Sequence, residues 1–405
     1  MRRWAAGFLI VASLSVVGSG QTPQRRGAAP AQESKEPVTA AQVSAAIDKL
    51  GSIEFPIRSG ASRTVRRAAP EVAVPALIKA VASHQDGYVR FRALVVLSGF
   101  NDPRTRDVMR SAIDQQNDRL RAVAYAYFEH NPDKVLLPTL LAAVSRESSE
   151  FVRPALTRAL AAYAADPKLG PDPKVRETLT GLVMKGQAFF RSVVIEALGD
   201  YKASYALAPI VEVTKVDGPL QVDAALALGK IGDKSSLGLL ASLQRTAPKS
   251  SQPAVAAAIC LLGVNCESHQ RYLSETLRFG IATVGFQELV RASASSLGAL
   301  AVSGRADAAA DLIQQGAPTR DPARAAITLA IGTVALRNIP LILKVLEQPG
   351  VLEPGTDLLR EAFDMLEEDF EEERFFVTVR RAYWQATEGS QARKVAEALI
   401  RGLDF

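Results

Sequence analysis

The residues with the greatest chemical reach in this chain are arginines that return at a nearly fixed interval. They stand at Arg90, Arg121, Arg153, Arg191, Arg324 and Arg360, and the same slot is filled by Gln221, Val255, Val290 and Arg393. Successive members lie roughly 30–38 residues apart, within the range of periods that repeat arrays use. Acids precede several of them, at Asp86, Asp118, Glu150, Asp321 and Asp357. A guanidinium is a planar fork of donors, so a row of them can line a stripe for an anionic ligand or bond carboxylates within the protein. An Asp at a helix start caps free N–H groups, and an Arg one turn later can bond that carboxylate or the next unit's turn. The expectation is a structural ladder, with Arg153 hydrogen-bonded to the adjacent turn. Arg92, just past the ladder position, is expected to be exposed and dispensable.

Other reactive types are sparse. His84, His130 and His269 are far apart and lack a ligand-type partner at i+3 or i+4, so no metal site is expected and each reads as a turn or helix-end residue. The run Glu367-Glu368-Asp369-Phe370-Glu371-Glu372-Glu373 lacks the spaced oxygens and Gly of a calcium loop and reads as a solvated turn. Phe375 to Trp384, which follows, reads as a helix with an aromatic face in the core. Nucleophile-elbow, P-loop, zincin, Ser-x-x-Lys and Cys-x-x-Cys patterns do not occur, so neither catalytic residues nor a cofactor are expected. Tyr88, Arg92, Arg119, Tyr125 and Arg158 are the only hint of a basic, aromatic-lined stripe, with Tyr125 expected at the surface. Nucleic acid is not an expected partner. Cys260 and Cys266 would lie about 9 Å apart within one helix, too far to bridge. Gly263 and Asn265 suggest that the helix ends between them, so a disulfide and two free thiols both remain open.

The elements that position these residues follow from the period. Apolar residues recur three and four apart, as in Val135 to Leu141 and Phe151 to Leu160, and do not alternate as a strand would. Each unit reads as helix, short turn, helix, with Pro75, Pro138, Pro209 and Pro340 in the first turn of the first helix. A fixed period of about 34 residues means stacked units rather than one globular core. Thr39 to Leu50 reads as an initial helix capped by Thr39, and residues 39–69 as an N-terminal cap to the array at 70–405. Residues 1–20, with Arg2 and Arg3, the apolar run Trp4 to Val17 and Gly18-Ser19-Gly20, read as a secretory signal. Residues 21–38 read as a disordered linker. The formal charge of +5 falls to +3 without residues 1–20, so the basic pI is weak evidence for nucleic acid. Residues 21–200 carry a net +6 and residues 351–405 a net −6, which suggests that each end prefers a different partner.

The Pro-bearing first helix, the acidic turn, the Val-Arg start of the second helix and the phrase Ala227-Leu228-Gly229-Lys230-Ile231-Gly232-Asp233 resemble the HEAT repeat family, especially its short HEAT-like form known from phycobilin lyases. The resemblance implies an all-α, right-handed α-α superhelix of about nine to ten hairpins. It implies a concave surface, lined by the second helices, that holds a protein or peptide partner. The function expected is that of a non-enzymatic scaffold, periplasmic or secreted, without stable membrane insertion once the signal is removed. An enzyme or enzyme subunit of the phycobilin-lyase type is the alternative, and export argues against it.

Overall fold

Apolar residues at helical spacing form helices throughout, and no strand occurs among the described residues, which are 36–170, 172–366, 369–403 and 405 of this computed structural model. The expected signal and most of the expected linker lie outside them. Residues 38–405 make one compact unit.

It begins with α1 (Ala40–Lys49), whose cap is the Thr39 hydroxyl paired reciprocally with Gln42, and α2 (Phe55–Arg67). Hairpins follow: α3 (Pro70–Ser83) with α4 (Gly87–Ser98), α5 (Thr105–Ala112) with α6 (Asp118–His130), and α7 (Leu137–Arg146) with α8 (Arg153–Ala165). Next come α9 (Pro173–Met184) with α10 (Ala188–Asp200), α11 (Leu207–Val213) with α12 (Pro219–Ile231), and α13 (Leu237–Thr246) with α14 (Gln252–Leu261). Then come α15 (Cys266–Ala282) with α16 (Gln287–Val302), α17 (Ala306–Gly316) with α18 (Ala323–Arg337), and α19 (Ile339–Leu346) with α20 (Leu352–Leu366). The last pair is α21 (Asp369–Gln385) and α22 (Gln391–Gly402). Pro138 and Pro340 sit in first turns as expected, but Pro75 lies inside α3, which starts a turn earlier at Pro70.

Second helices stack on second helices in order from α4 to α20, and each first helix from α3 to α17 packs on its own second, whereas α19 packs on α17, α18 and α22. This is an α-solenoid, in which every unit buries its apolar face on its neighbours. Alanine and glycine in the second helices bring their axes close. A Cβ on Gly229 would lie 2.5 Å from the Ala258 Cα of the next second helix, so this position admits nothing larger than hydrogen. The core divides into two clusters, one from Val43 to Leu262 that also takes in Phe370 and one from Ala256 to Phe405. They share α14, which sends Val255, Ala258 and Ile259 to the first and Ala256, Ala257 and Cys260 to the second.

The end of the array breaks its own pattern. It is α22, not α21, that continues the stack against α19 and α20. Helix α21 packs on α18 and also on α4 and α6, which belong to the first units of the array.

Candidate functional site: a seam between the two ends of the array

The recurrent arginines cap helices. At the end of each first helix the last carbonyls lack intrahelical partners and carry the negative end of the macrodipole. Arg90 Nε donates to Val81 O at 2.7 Å, Arg191 Nε to Val183 O at 2.8 Å, and Arg324 Nη1 to Gly316 O at 2.9 Å. Arg121 Nη1 serves the carbonyls of Gln115 and Gln116 at 2.8 and 2.9 Å. Three of these arginines also reach the next unit, at Gln115, Glu147 and Glu361. Arg360 Nε donates at 2.7 Å to Gly402 O, the end of α22. In two of the units that lack the arginine, glutamine does the same work: Gln221 Nε2 donates to Thr214 O and Gln252 Nε2 to Ala247 O, both at 3.0 Å. The slot in that unit therefore belongs to Gln252, three residues before Val255. Arg153 departs from the expected hydrogen bond, laying its guanidinium 4.3 Å from the centre of the Phe190 ring in the next unit.

Arg92 and the acidic run were both expected at the surface, and the fold puts them against each other. Asp369, Glu371 and Glu373 lie in the first turns of α21, with their charges at the favourable end of its dipole. Arg92 pairs with Asp369, and both side chains are largely buried. Arg66 closes a fork on Glu373, with Nε 3.0 Å from Oε2, and these side chains are 8% and 1% exposed. Arg380 approaches the same carboxylate at 3.4 Å. Gly99 makes the room, since a Cβ there would lie 2.5 Å from Glu373 Oε1. Glu371 meets His130 Nε2 at 2.8 Å, pairs with Arg374 and lies 3.9 Å from Arg337. Phe370 is buried between Tyr127 and the His130 ring. The acidic segment is thus a clasp joining α2, α4 and α6 to the far end of the array. Glu367 and Glu368 fall outside the described residues.

Burial pushes the Glu371 carboxyl up, but the hydrogen bond and charge of His130, with Arg374 and Arg337, outweigh it and hold the group at about 2. The network continues through Glu129, which accepts from Arg158 Nε at 3.0 Å and from the Tyr201 hydroxyl at 2.7 Å. Arg158 also binds Asp200, which Lys230 meets at 2.6 Å. Burial raises Asp200, and the charges of Lys230 and Arg158 bring it below the usual carboxylate range. Glu129, His130 and Glu371 bring ligand-type atoms within 4.8 Å of one another. Their carboxylates are already held by Arg158, Arg337 and Arg374, so a metal ion would enter a ring of guanidinium charge. A cavity of about 280 Å³ opens along the seam beside Asn101, Tyr127, Phe370 and Arg381.

The remaining candidates fall into structural contacts. Tyr125 is buried, not exposed, with its hydroxyl 3.3 Å from Glu147; burial, then the Glu147 charge, pushes its pKa up. Arg119 spreads over the rings of Tyr88, Phe91 and Phe151. With Arg92 and Arg158 already paired, the hinted basic stripe is taken up by the protein itself. His84 caps the end of α3, His130 ends α6, and His269 lies in the first turn of α15. Ser192 donates to Asp223 at 2.6 Å, and burial raises that carboxyl. Cys260 and Cys266 are joined as a disulfide across the turn between α14 and α15. Phe375 is buried in the aromatic face expected for its helix, while Trp384 is exposed. No single helix among the described residues is long and apolar enough to cross a membrane. Nothing in the repeat spacing signalled the clasp; the one available sign was the opposite charge of the two ends.

No protein-family model matches this chain, and no curated protein does. Among solved structures it is similar to the X-ray structure of the E. coli protein YibA, at 15% identity and a TM-score of 0.41, over 56% of this chain and 83% of that one. It is also similar to a chain of the complex in which Kap95p binding induces the switch loops of RanGDP to adopt the GTP-bound conformation. That likeness has 13% identity and a TM-score of 0.42, covering 90% of this chain and 55% of the other's length. Both likenesses are distant, and the helical-repeat architecture rests on the packing of this chain's own helices.

Proposed function

We propose that this chain is an exported, non-enzymatic scaffold of the HEAT-like type that holds a protein partner on the face of its second helices. One observation carries the reading: that face already holds a helix, α21, through ion pairs to α2 and α4, a His130 contact on α6 and a single buried phenylalanine. A surface that accepts a helix in cis has the shape and chemistry to accept one in trans. The prolines of the first helices and the arginines of the second support the HEAT-like assignment. Export rests on the pattern of residues 1–20, and a joined Cys260–Cys266 pair suits an oxidising compartment.

Affinity capture from the envelope fraction of the source cell tests the scaffold role. The wild type should be compared with Glu371→Gln/Glu373→Gln, which frees the face. One protein retained reproducibly, and more strongly by the variant, is the expected result; no retained protein with either bait refutes the scaffold role. The mature chain should begin near Gln21, and native protein that is cytosolic and still starts at Met1 refutes export.

A further inference from the structure

We infer that the partner presents a short acidic helix resembling the first turns of α21, and that it binds by replacing α21 on α2, α4 and α6. This rests on the scaffold reading and adds to it the chemistry of the partner and a gate on its binding. The resident helix shows what the face selects. Asp369, Glu371 and Glu373 meet Arg92, His130 and Arg66, one basic side chain from each of three helices, and Phe370 fills the gap between the Tyr127 and His130 rings. The ligand pattern is therefore an acid, an aromatic residue, a second acid and, two residues on, a third. The N-terminal units also supply the matching field, since residues 21–200 carry a net +6.

The seam is built to part. Phe370 belongs to the N-terminal apolar cluster, whereas Phe375 and Val379 of the same helix belong to the C-terminal one. Opening therefore withdraws Phe370 from the N-terminal cluster, parts Phe376 from the Arg66 guanidinium and Val377 from Gly99, and leaves the rest of both cores closed. The carboxylate partners that the N-terminal units give up are those an acidic helix in trans restores. Competition from a tethered helix keeps the wild-type face mostly occupied, so apparent affinity falls by the fraction of molecules that are open.

The test uses full-length protein and a fluorescent, N-acetylated peptide with the sequence of residues 369–379. Wild type should bind it weakly. Glu371→Gln/Glu373→Gln, which loosens the resident helix but keeps Arg66, Arg92 and His130, should bind at least about tenfold more tightly, as expected when the open fraction rises by that factor. Added salt and Arg92→Glu in that background should each abolish the gain. Phe370→Ala gives a second, charge-neutral way to open the seam and should show the same gain, with circular dichroism confirming that helix content is kept. Equal binding by wild type and both opened variants, or equal binding of a peptide with its acids replaced by amides, overturns the proposal. So does a concentration-dependent dimer of the opened variants, which would make a second copy's α21 the occupant. If the envelope bait retains a partner while the acidic peptide fails, the scaffold reading stands and the partner's chemistry is what falls.

Discussion

Replacing Glu373 by glutamine should open the seam without unfolding the repeats. The carboxylate is 1% exposed and Arg66 8%, so the pair is buried, and Arg380 shares it at 3.4 Å. Glutamine keeps the shape but leaves two guanidinium groups facing each other with no counter-charge. Removing one partner of a buried pair costs about 3–5 kcal/mol when the other stays buried. Opening the seam hydrates Arg66 and sacrifices the burial of Phe370, worth about 1.5–3 kcal/mol. It also gives up the largely buried Arg92–Asp369 pair and the Glu371–His130 contact, although water takes up the separated groups once the seam is open. The stranded charge thus offsets much of what holds the seam shut, and the variant shifts its population towards parted ends. Small-angle scattering should then show a larger radius of gyration, while circular dichroism shows unchanged helix content. Arg66→Met/Glu373→Met, which removes both charges, should recover most of the compactness. A Glu373→Gln protein as compact as wild type and within about 0.5 kcal/mol of its stability, the range of ordinary surface changes, would refute the argument.

Acid should loosen the same seam. Glu371 is held at about 2, below its ordinary 4.5, so its contribution is complete above that ordinary value and is lost as pH falls towards 2. The difference in urea midpoint between wild type and Glu371→Gln should therefore shrink across that window and be constant above it. Gln221→Ala strands the Thr214 carbonyl at the buried end of α11 and should cost about 1–3 kcal/mol in denaturant unfolding. Gly229→Ala drives a methyl to 2.5 Å from the Ala258 backbone and should cost about 1–3 kcal/mol by overpacking, read as a lower melting temperature. Arg153→Ala loses only a stacked cation and should cost about 0.5–1 kcal/mol in the same assay, less than the capping arginines.

Everything that repeats was legible in the chain because it is local. The period of about 34 residues marks the hairpins, the apolar spacing marks helices, and Thr39 marks the first cap, since each depends on residues within a turn or two. The arginine slot showed itself for the same reason, although its partners are carbonyls of the preceding helix more than the acids before it. Gln252 was harder to see, because an amide donates to a carbonyl as well as a guanidinium does while the slot appeared to fall on Val255. Tyr125 was misplaced because an aromatic ring with a polar tip suits a surface or a core, and only the position of Glu147 decides between them.

The net +6 of residues 21–200 and the net −6 of residues 351–405 were visible in composition, and they suggested two separate partners. Tertiary structure decided that the two ends are partners of each other. Arg66 and Glu373 are 307 residues apart, and what brings them together is the rotation added by each hairpin along the array. That rotation is set by how each pair of neighbouring second helices packs, at contacts such as Gly229 on Ala258. Small angles accumulate over the whole stack, so no local pattern in the chain records where its last helix arrives.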